Sequence, residues 1–339
     1  MPTAHLTDRG VVRVAGEDAN TFLDGLLTCD MDKVTPERPR FGALLTPQGK
    51  LLFDFIVSEA PSDAGGGFYL DVLKFMAPDL AKRLGFYKLR AKVAVEDLSD
   101  SLAVVAGWGG APKPGDEIGL VADDPRLPAL GWRAIVAAED AAAFSSPRLR
   151  GEAESARSAE PGEGLSTAEL DVEAAPHPVA PEARLDLSSQ AGRGEDYHAH
   201  RIALGVPEGG KDFLFNDTFP HEALMDQLHG VDFDKGCYVG QEVVSRMEHR
   251  GTARTRIVPV VYEDGFAAEP WSEVTAGARV LGKAGTGARG RGLVLIRLDR
   301  AADALSAGET IRAGGLPVRI EKPAFIDFPF PGEPAAPVG

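Results

Sequence analysis

Short apolar runs separated by glycine- and proline-bearing turns dominate the pattern of this chain, with a few amphipathic stretches between them. Residues 11–14 read as a strand, Gly16 and Glu17 as a turn, and 18–27 as a helix with Asp18 near its cap and Phe22, Leu23 and Leu26 facing inward. Two β-rich runs, 41–45 and 50–57, flank Thr46-Pro47-Gln48-Gly49 and predict a hairpin. A glycine-rich loop at 63–67 leads to a strand at 68–73. Pro78 suits the first turn of a helix ending near Tyr87, and strands return at 92–95 and 102–105. This β-α-β-β order predicts a ferredoxin-like α+β unit over 51–145.

The pattern dissolves from about residue 141 into alanine, glutamate, serine and proline, so 146–184 reads as a linker or insertion. Helices are expected at 195–204, ended by Gly205 and Pro207, and at 221–228, ended by Gly230. A third runs from Gln241 to Met247 with Gly251 as its stop signal. Beyond Thr252, β-rich runs at 257–262, 293–298 and 317–320 between glycine turns predict a small β-barrel over 251–330.

Composition narrows the function classes. The 339 residues suffice for two or three domains with real cores, and the formal charge of -15 repels nucleic-acid backbones and anionic membranes. Neither a nucleic acid nor a membrane is therefore an expected partner, and no segment has membrane-spanning length. Two cysteines, Cys29 and Cys237, are too few for a disulfide framework and fit a reducing compartment. With no targeting pattern in the first ten residues, a cytoplasmic location is expected.

Candidate chemistry concentrates in Lys235-Gly236-Cys237-Tyr238-Val239-Gly240-Gln241-Glu242. A thiol acts as nucleophile or metal ligand as its thiolate, which a nearby ammonium and a helix N-terminus both favour. Cys237 is the expected functional thiol and Lys235 its activator. Gly236 and Gly240 would permit close backbone approach, with Gln241 and Glu242 capping the helix or orienting the loop. His221, His229 and His249 flank this segment and are candidate co-ligands of a metal, although surface histidines are the commoner explanation. Other motifs fail on context. Gly285-Thr286-Gly287-Ala288-Arg289-Gly290 has dinucleotide-loop spacing but precedes a strand, and 277–283 reads as a hairpin rather than a phosphate loop. His198 and His200, two apart on a helix, point away from each other.

The segment from Lys235 to Met247 closely resembles the signature of the YgfZ family of folate-binding, iron-sulfur cluster maturation proteins. Gly16-Glu17-Asp18-Ala19 with Phe22, Leu23 and Thr28, then Thr46-Pro47-Gln48-Gly49-Lys50, then residues 201–207 resemble that family in order and spacing. That family is similar to the aminomethyltransferase T-protein of glycine cleavage. The resemblance implies an α+β, three-domain T-protein-like ring, with 1–50 and 185–250 forming a folate-binding-type core, a ferredoxin-like unit and a C-terminal β-barrel. It implies tetrahydrofolate or a derivative as cofactor and iron-sulfur client enzymes or assembly proteins as partners. It implies no permanent metal, with Cys237 as a transient contact for a cluster. Aromatic and cationic groups suited to a folate are Tyr87, Trp108, Arg90 and Arg246, with Tyr238 and Lys88 as further candidates. Ala203 stands where the T-protein has a pterin-binding glutamate, which disfavours the alternative of a folate-dependent aminomethyltransferase. A folate-independent docking scaffold is the remaining rival, and a maturation factor fits better than a classical transferase.

Overall fold

The computed structural model describes residues 2–144, 192–251 and 253–332, and the expected linker at 146–184 lies outside them. The chain opens with β1 (Thr3–His5) and β2 (Arg9–Ala15), then the short helix α1 (Ala19–Asp24). The predicted hairpin forms from β3 (Arg40–Leu45) and β4 (Leu51–Glu59). After β5 (Phe68–Leu73) come α2 (Ala77–Tyr87), with proline in its first turn, and β6 (Ala94–Asp97). These strands make an antiparallel five-stranded sheet in the order β3-β4-β5-β2-β6.

β7 (Leu102–Gly107), β8 (Leu120–Asp123) and β9 (Trp132–Ala137) join β1 in a second sheet, ordered β1-β7-β9-β8. Residues 51–145 thus supply strands to both sheets, each sheet also taking a strand from the first fifteen residues. The period of two along the first sheet's strands decides which side chain meets which layer. Val12, Val14, Leu70 and Val72 pack against Leu23 of α1 and Leu80 and Leu84 of α2. Val11 and Tyr69, on the opposite face, join Val104, Ala106 and Trp108 of the second sheet.

α3 (Gly192–Leu204) and α4 (Gln241–Arg250) follow, α4 ending at Gly251 in the left-handed conformation as the sequence predicts. The expected helix at 221–228 does not form. Leu224 has φ +60° and interrupts it, leaving a chain of turns. Ala223, Leu224 and Met225 are all buried with Leu228 in the core between the first sheet and the C-terminal part. Three consecutive residues cannot share one helix face, so burial selects turns over the helix. The predicted helix at 18–27 also stops short: the Asp18 carboxylate accepts from the Lys92 backbone amide rather than capping α1.

The C-terminal barrel closes from β10 (Thr255–Tyr262), β11 (Glu273–Ala276), β12 (Arg279–Ala288), β13 (Arg291–Arg297), β14 (Ile311–Ala313) and β15 (Leu316–Ile320), in the order β10-β13-β12-β11-β14-β15. Helix α5 (Leu298–Ser306) lies between β13 and β14. Arg289 and Gly290, both at positive φ, form the two-residue turn between β12 and β13, so the glycine-spaced motif is a hairpin without a following helix. Among the described residues no helix is long and apolar enough to cross a membrane.

Candidate functional site

The loop before α4 is fastened on both sides. The Lys235 side chain is 1% exposed, and its ammonium donates to the carbonyl oxygens of Asp24 (2.5 Å) and Leu27 (2.9 Å) and pairs with the Asp24 carboxylate (3.0 Å). It also sits 5.4 Å from the centroid of the Tyr238 ring. The Asp24 carbonyl ends α1, whose dipole favours a cation there, and Leu27 lies in the turn just beyond. The lysine expected to activate the thiol is instead the staple that ties the loop to α1, with no hydrogen bond to Cys237.

Gly240 supplies the second attachment. It adopts φ +83°, and a Cβ there would lie 2.6 Å from the Thr46 carbonyl oxygen and 3.1 Å from Gly49 Cα. A Cβ on Gly49, at φ +80°, would lie 2.9 Å from Val243 Cβ and 3.3 Å from the Gly240 carbonyl oxygen. Backbone therefore packs on backbone where the β3–β4 turn meets the start of α4. Gln241 donates from Nε2 to the Gly236 carbonyl at 3.4 Å, while Glu242 pairs with Arg246 along the helix instead of orienting the loop. Gly236 has open space where a side chain would stand, unlike the close approach expected of it. Tyr238 is buried, which pushes its phenol pKa up, and among the described residues its hydroxyl has no hydrogen-bond partner.

Cys237 is exposed at the tip of this anchored loop, and both cysteines are free thiols. The other, Cys29, is fully buried against Gly42, and burial pushes its pKa up to about 12. Only Cys237 can meet a ligand from solution. His221 is buried with Nε2 on Glu248 (2.9 Å), while His229 and His249 are exposed. Among the described residues neither potential metal-ligand group contains Cys237.

A second constellation lies between the sheets, α3 and the segment after it. Arg9 and Arg133 converge on Asp71, with Arg9 Nε donating at 2.6 Å and Arg133 Nη2 at 2.6 Å. Arg126 binds Asp124 through Nε (2.9 Å) and Nη2 (2.7 Å), and Tyr197 accepts from both Arg126 and Arg133. Arg201, 1% exposed, pairs with Asp212 (2.7 Å) and Glu208 (3.0 Å). Asp212 also accepts from the amide and hydroxyl of Thr286, tying this centre to the barrel. The cavity beside Arg9, Arg201 and Glu208 is only about 10 Å³, room for no more than a water.

Asp54 stands apart from these matched pairs. Burial pushes its carboxyl pKa up against the pull of Arg9, Arg126 and a hydrogen bond from the Gly209 backbone amide, and among the described residues its Oδ1 has no side-chain hydrogen-bond partner. This is the acceptor that a buried hydrogen-bonding ligand would satisfy. A lone carboxylate inside the apolar run Leu51–Glu59, and another inside Phe68–Leu73, are the sequence signals for Asp54 and Asp71. Arg201 falls in a segment singled out above, but nothing in the sequence marks Glu208, Asp212, Arg126 or Tyr197 as its neighbours.

Among the described residues two groups have metal-ligand spacing, and each already holds a cationic side chain. Lys211 bonds Asp8 and lies 3.3 Å from Glu208 and 3.0 Å from His198, the three side chains of the first group. Arg256 binds both Asp226 oxygens at 2.8 Å in the second group, His221, Asp226 and Glu248.

The residues expected to hold a folate do not converge. Tyr87 packs on the core beneath the helices of the first sheet, and Trp108 packs on Tyr197 and His200 at the second. Arg90 and Lys88 are exposed near the end of α2, and Arg246 pairs with Glu242 on α4. Ala203 is exposed on α3.

Comparison with known proteins places this geometry. Residues 254–328 match the family model described as CAF17, C-terminal beta-barrel domain. The fold resembles the crystal structure of glycine cleavage system aminomethyltransferase T from Bartonella henselae, with a TM-score of 0.64, 13% identity, and coverage of 96% of this chain and 86% of that one. The T-protein-like fold with a terminal barrel is thus as expected. In sequence, the iron-sulfur cluster assembly factor IBA57 of Mus musculus is 30% identical over 316 residues, covering 86% of this chain and 76% of the relative. The Homo sapiens factor is 29% identical over 297 residues, covering 83% and 71%. The homologue from Mycosarcoma maydis is 32% identical over 269 residues, covering 76% and 57%. The chain spans a little over half the length of the fungal relatives it matches. All these relatives are named as mitochondrial, which overturns the cytoplasmic location expected from composition: a reducing environment for two free thiols does not distinguish one reducing compartment from another. The chain belongs to the IBA57 family of iron-sulfur cluster assembly factors, a family related to, but not the same as, the YgfZ proteins its signature resembles.

Proposed function

We propose that this protein supports iron-sulfur cluster assembly by presenting Cys237 as a single, positioned thiol. The observation that carries this reading is the exposed thiol on a loop anchored by Lys235 to α1 and by Gly240 to the β3–β4 turn. A preorganised loop lowers the entropy lost when its tip engages a partner. One cysteine cannot complete a cluster, whose irons are commonly held by four protein ligands, so the others come from a partner or a small thiol. The partners proposed are iron-sulfur assembly proteins or client enzymes.

The test is replacement of Cys237 by serine in cells lacking the endogenous factor, scored on iron-sulfur enzyme activities, with Cys29→Ser as the buried-thiol control. Loss of client activity with Cys237→Ser at normal protein abundance is the expected outcome. Full support by that variant sinks the reading.

Tetrahydrofolate belongs to the same proposal, with its place reassigned. The four scattered residues do not fit it; the buried Asp54 carboxyl is an acceptor of the kind a pterin edge requires, but the described cavity beside its neighbours Arg9 and Glu208 holds no more than a water, so a pterin reaches it only if that centre opens. When bound, the folate would supply one-carbon or redox chemistry near this centre, while Asp54 would orient the ring. Calorimetry with tetrahydrofolate compares the native chain with Asp54→Asn. Heat lost on substitution supports the assignment, and equal binding by both removes Asp54 from it. No binding to either leaves the folate-independent reading.

A further inference from the structure

A cleft of about 970 Å³ opens between the two sheets, away from the Cys237 loop residues, which are absent from its lining. Its floor is apolar: Tyr69 comes from β5 of one sheet, and Leu120 and Ile135 from β8 and β9 of the other. β8 is the last strand of its sheet. It pairs with β9 alone, so no described strand covers its second edge, and outward amide and carbonyl groups there lack a strand partner.

The rim says what could cover this edge. Glu37, Glu59, Asp63, Asp116 and Glu117 line the cleft, all are exposed, and none forms an ion pair with a described residue. No lysine, arginine or histidine lines it. Arg13, close to the 63–67 loop, spends its guanidinium on the Ala64 and Gly65 carbonyls and on Glu96. Some surface carboxylates elsewhere are paired, as Asp299 with Arg297 and Glu321 with Arg291 and Arg319, whereas the five at this rim stand together without a cation. An open strand edge, an apolar floor and unneutralised carboxylates together describe the complement of an extended segment that alternates lysine or arginine with apolar residues.

We propose that this cleft docks such a cationic, extended segment of a partner protein, which adds as a strand to the free edge of β8. Alternating side chains of the added strand would place apolar groups on the floor and cations against the rim. The occupant is not a second copy, since both copies carry a charge of -15. The chain's own 145–191 segment is net acidic and alternates a cation with an apolar residue only at Arg148-Leu149-Arg150, too short a run to span the cleft rim. The proposal does not depend on Cys237.

The probe is a fluorescein-labelled octapeptide of alternating lysine and valine, titrated into the full chain and read by anisotropy. Paired variants Glu59→Lys with Glu117→Lys are expected to weaken binding by about ten-fold or more, while Asp303→Lys with Glu309→Lys, the same charge change on the barrel, stays within about two-fold. Equal weakening by both pairs shows general attraction to an acidic protein and overturns the proposal, as does absence of binding. The same peptide with N-methylated amides along one edge should lose affinity; unchanged affinity removes the strand addition. Exchange of the outward-facing amides among residues 120–123, those not bonded to β9, provides the last check. Slow exchange in the free chain at every concentration would mean its own segment covers the edge, and slow exchange only at high concentration would mean a second copy does. Either result overturns the proposal.

Discussion

Cys237 and Lys235 are two residues apart and do different work. Exposure makes Cys237 the thiol available to a ligand, while burial, which pushes Cys29 up to about 12, keeps that second thiol protonated and inert. Iodoacetamide should therefore alkylate one cysteine of the native chain, Cys237, and both only after denaturation, as peptide mass mapping would show; labelling of Cys29 in the native chain would contradict its burial. Lys235 instead carries structure. Lys235→Met leaves two carbonyls and the Asp24 carboxylate without their cation, and is expected to cost about 2–4 kcal/mol in urea unfolding. A cost near zero would return Lys235 to the role of a free activator of the thiol.

At the scale of elements, the anchored loop depends on the β3–β4 turn meeting the start of α4. Ala at position 240 must adopt φ +83° and crowd the Thr46 carbonyl, so Gly240→Ala is expected to destabilise by about 1–3 kcal/mol. Gly236→Ala, with nothing near its Cβ, should stay within about 0.5 kcal/mol. Chemical denaturation of the two variants separates a glycine required by contact from one that is not. The hairpin and the α4 stop were legible in Thr46-Pro47-Gln48-Gly49 and Gly251 because turn chemistry is local. The turns at 221–228 were not, because the apolar spacing there suits a helix and only burial of Ala223, Leu224 and Met225 together excludes one.

At the scale of the whole molecule, buried ion pairs join layers far apart in sequence. Asp8 from the β1–β2 turn, His198 from α3, and Glu208 and Lys211 from the following segment meet in one cluster. Burial opposes ionisation of Glu208, yet Lys211, Arg201 and His198 hold its carboxyl well below 4.5; at Asp8, His198 and Lys211 likewise overcome burial. For these depressed carboxylates the stabilisation is present above their unfolded values and is lost as pH falls. Burial lowers the His198 pKa, but hydrogen bonds to Asp8 and Glu208 outweigh it and raise it above 6.5, so its contribution is full below 6.5 and fades as pH rises through the raised value. This cluster is therefore expected to stabilise the fold most between pH 4.5 and 6.5. His198→Gln, which does not titrate, should flatten the alkaline decline of the urea midpoint relative to the native chain. Identical alkaline limbs would exclude His198 as its source.

The sequence by itself determined the elements whose signals are local: the hairpin, α2 with its early proline, α4 with its glycine stop, the glycine-turned barrel strands and the cysteine segment that resembles the iron-sulfur maturation proteins. Period-two alternation and turn residues act over a few positions, so one chain read in order contains them. Tertiary structure alone decided that Lys235 fastens a loop to α1, that 51–145 is shared between two sheets, and that the Asp54 carboxyl is buried beside a centre of matched charges. These depend on residues up to about two hundred positions apart meeting in a buried interior, where desolvation makes each unmatched or matched charge count.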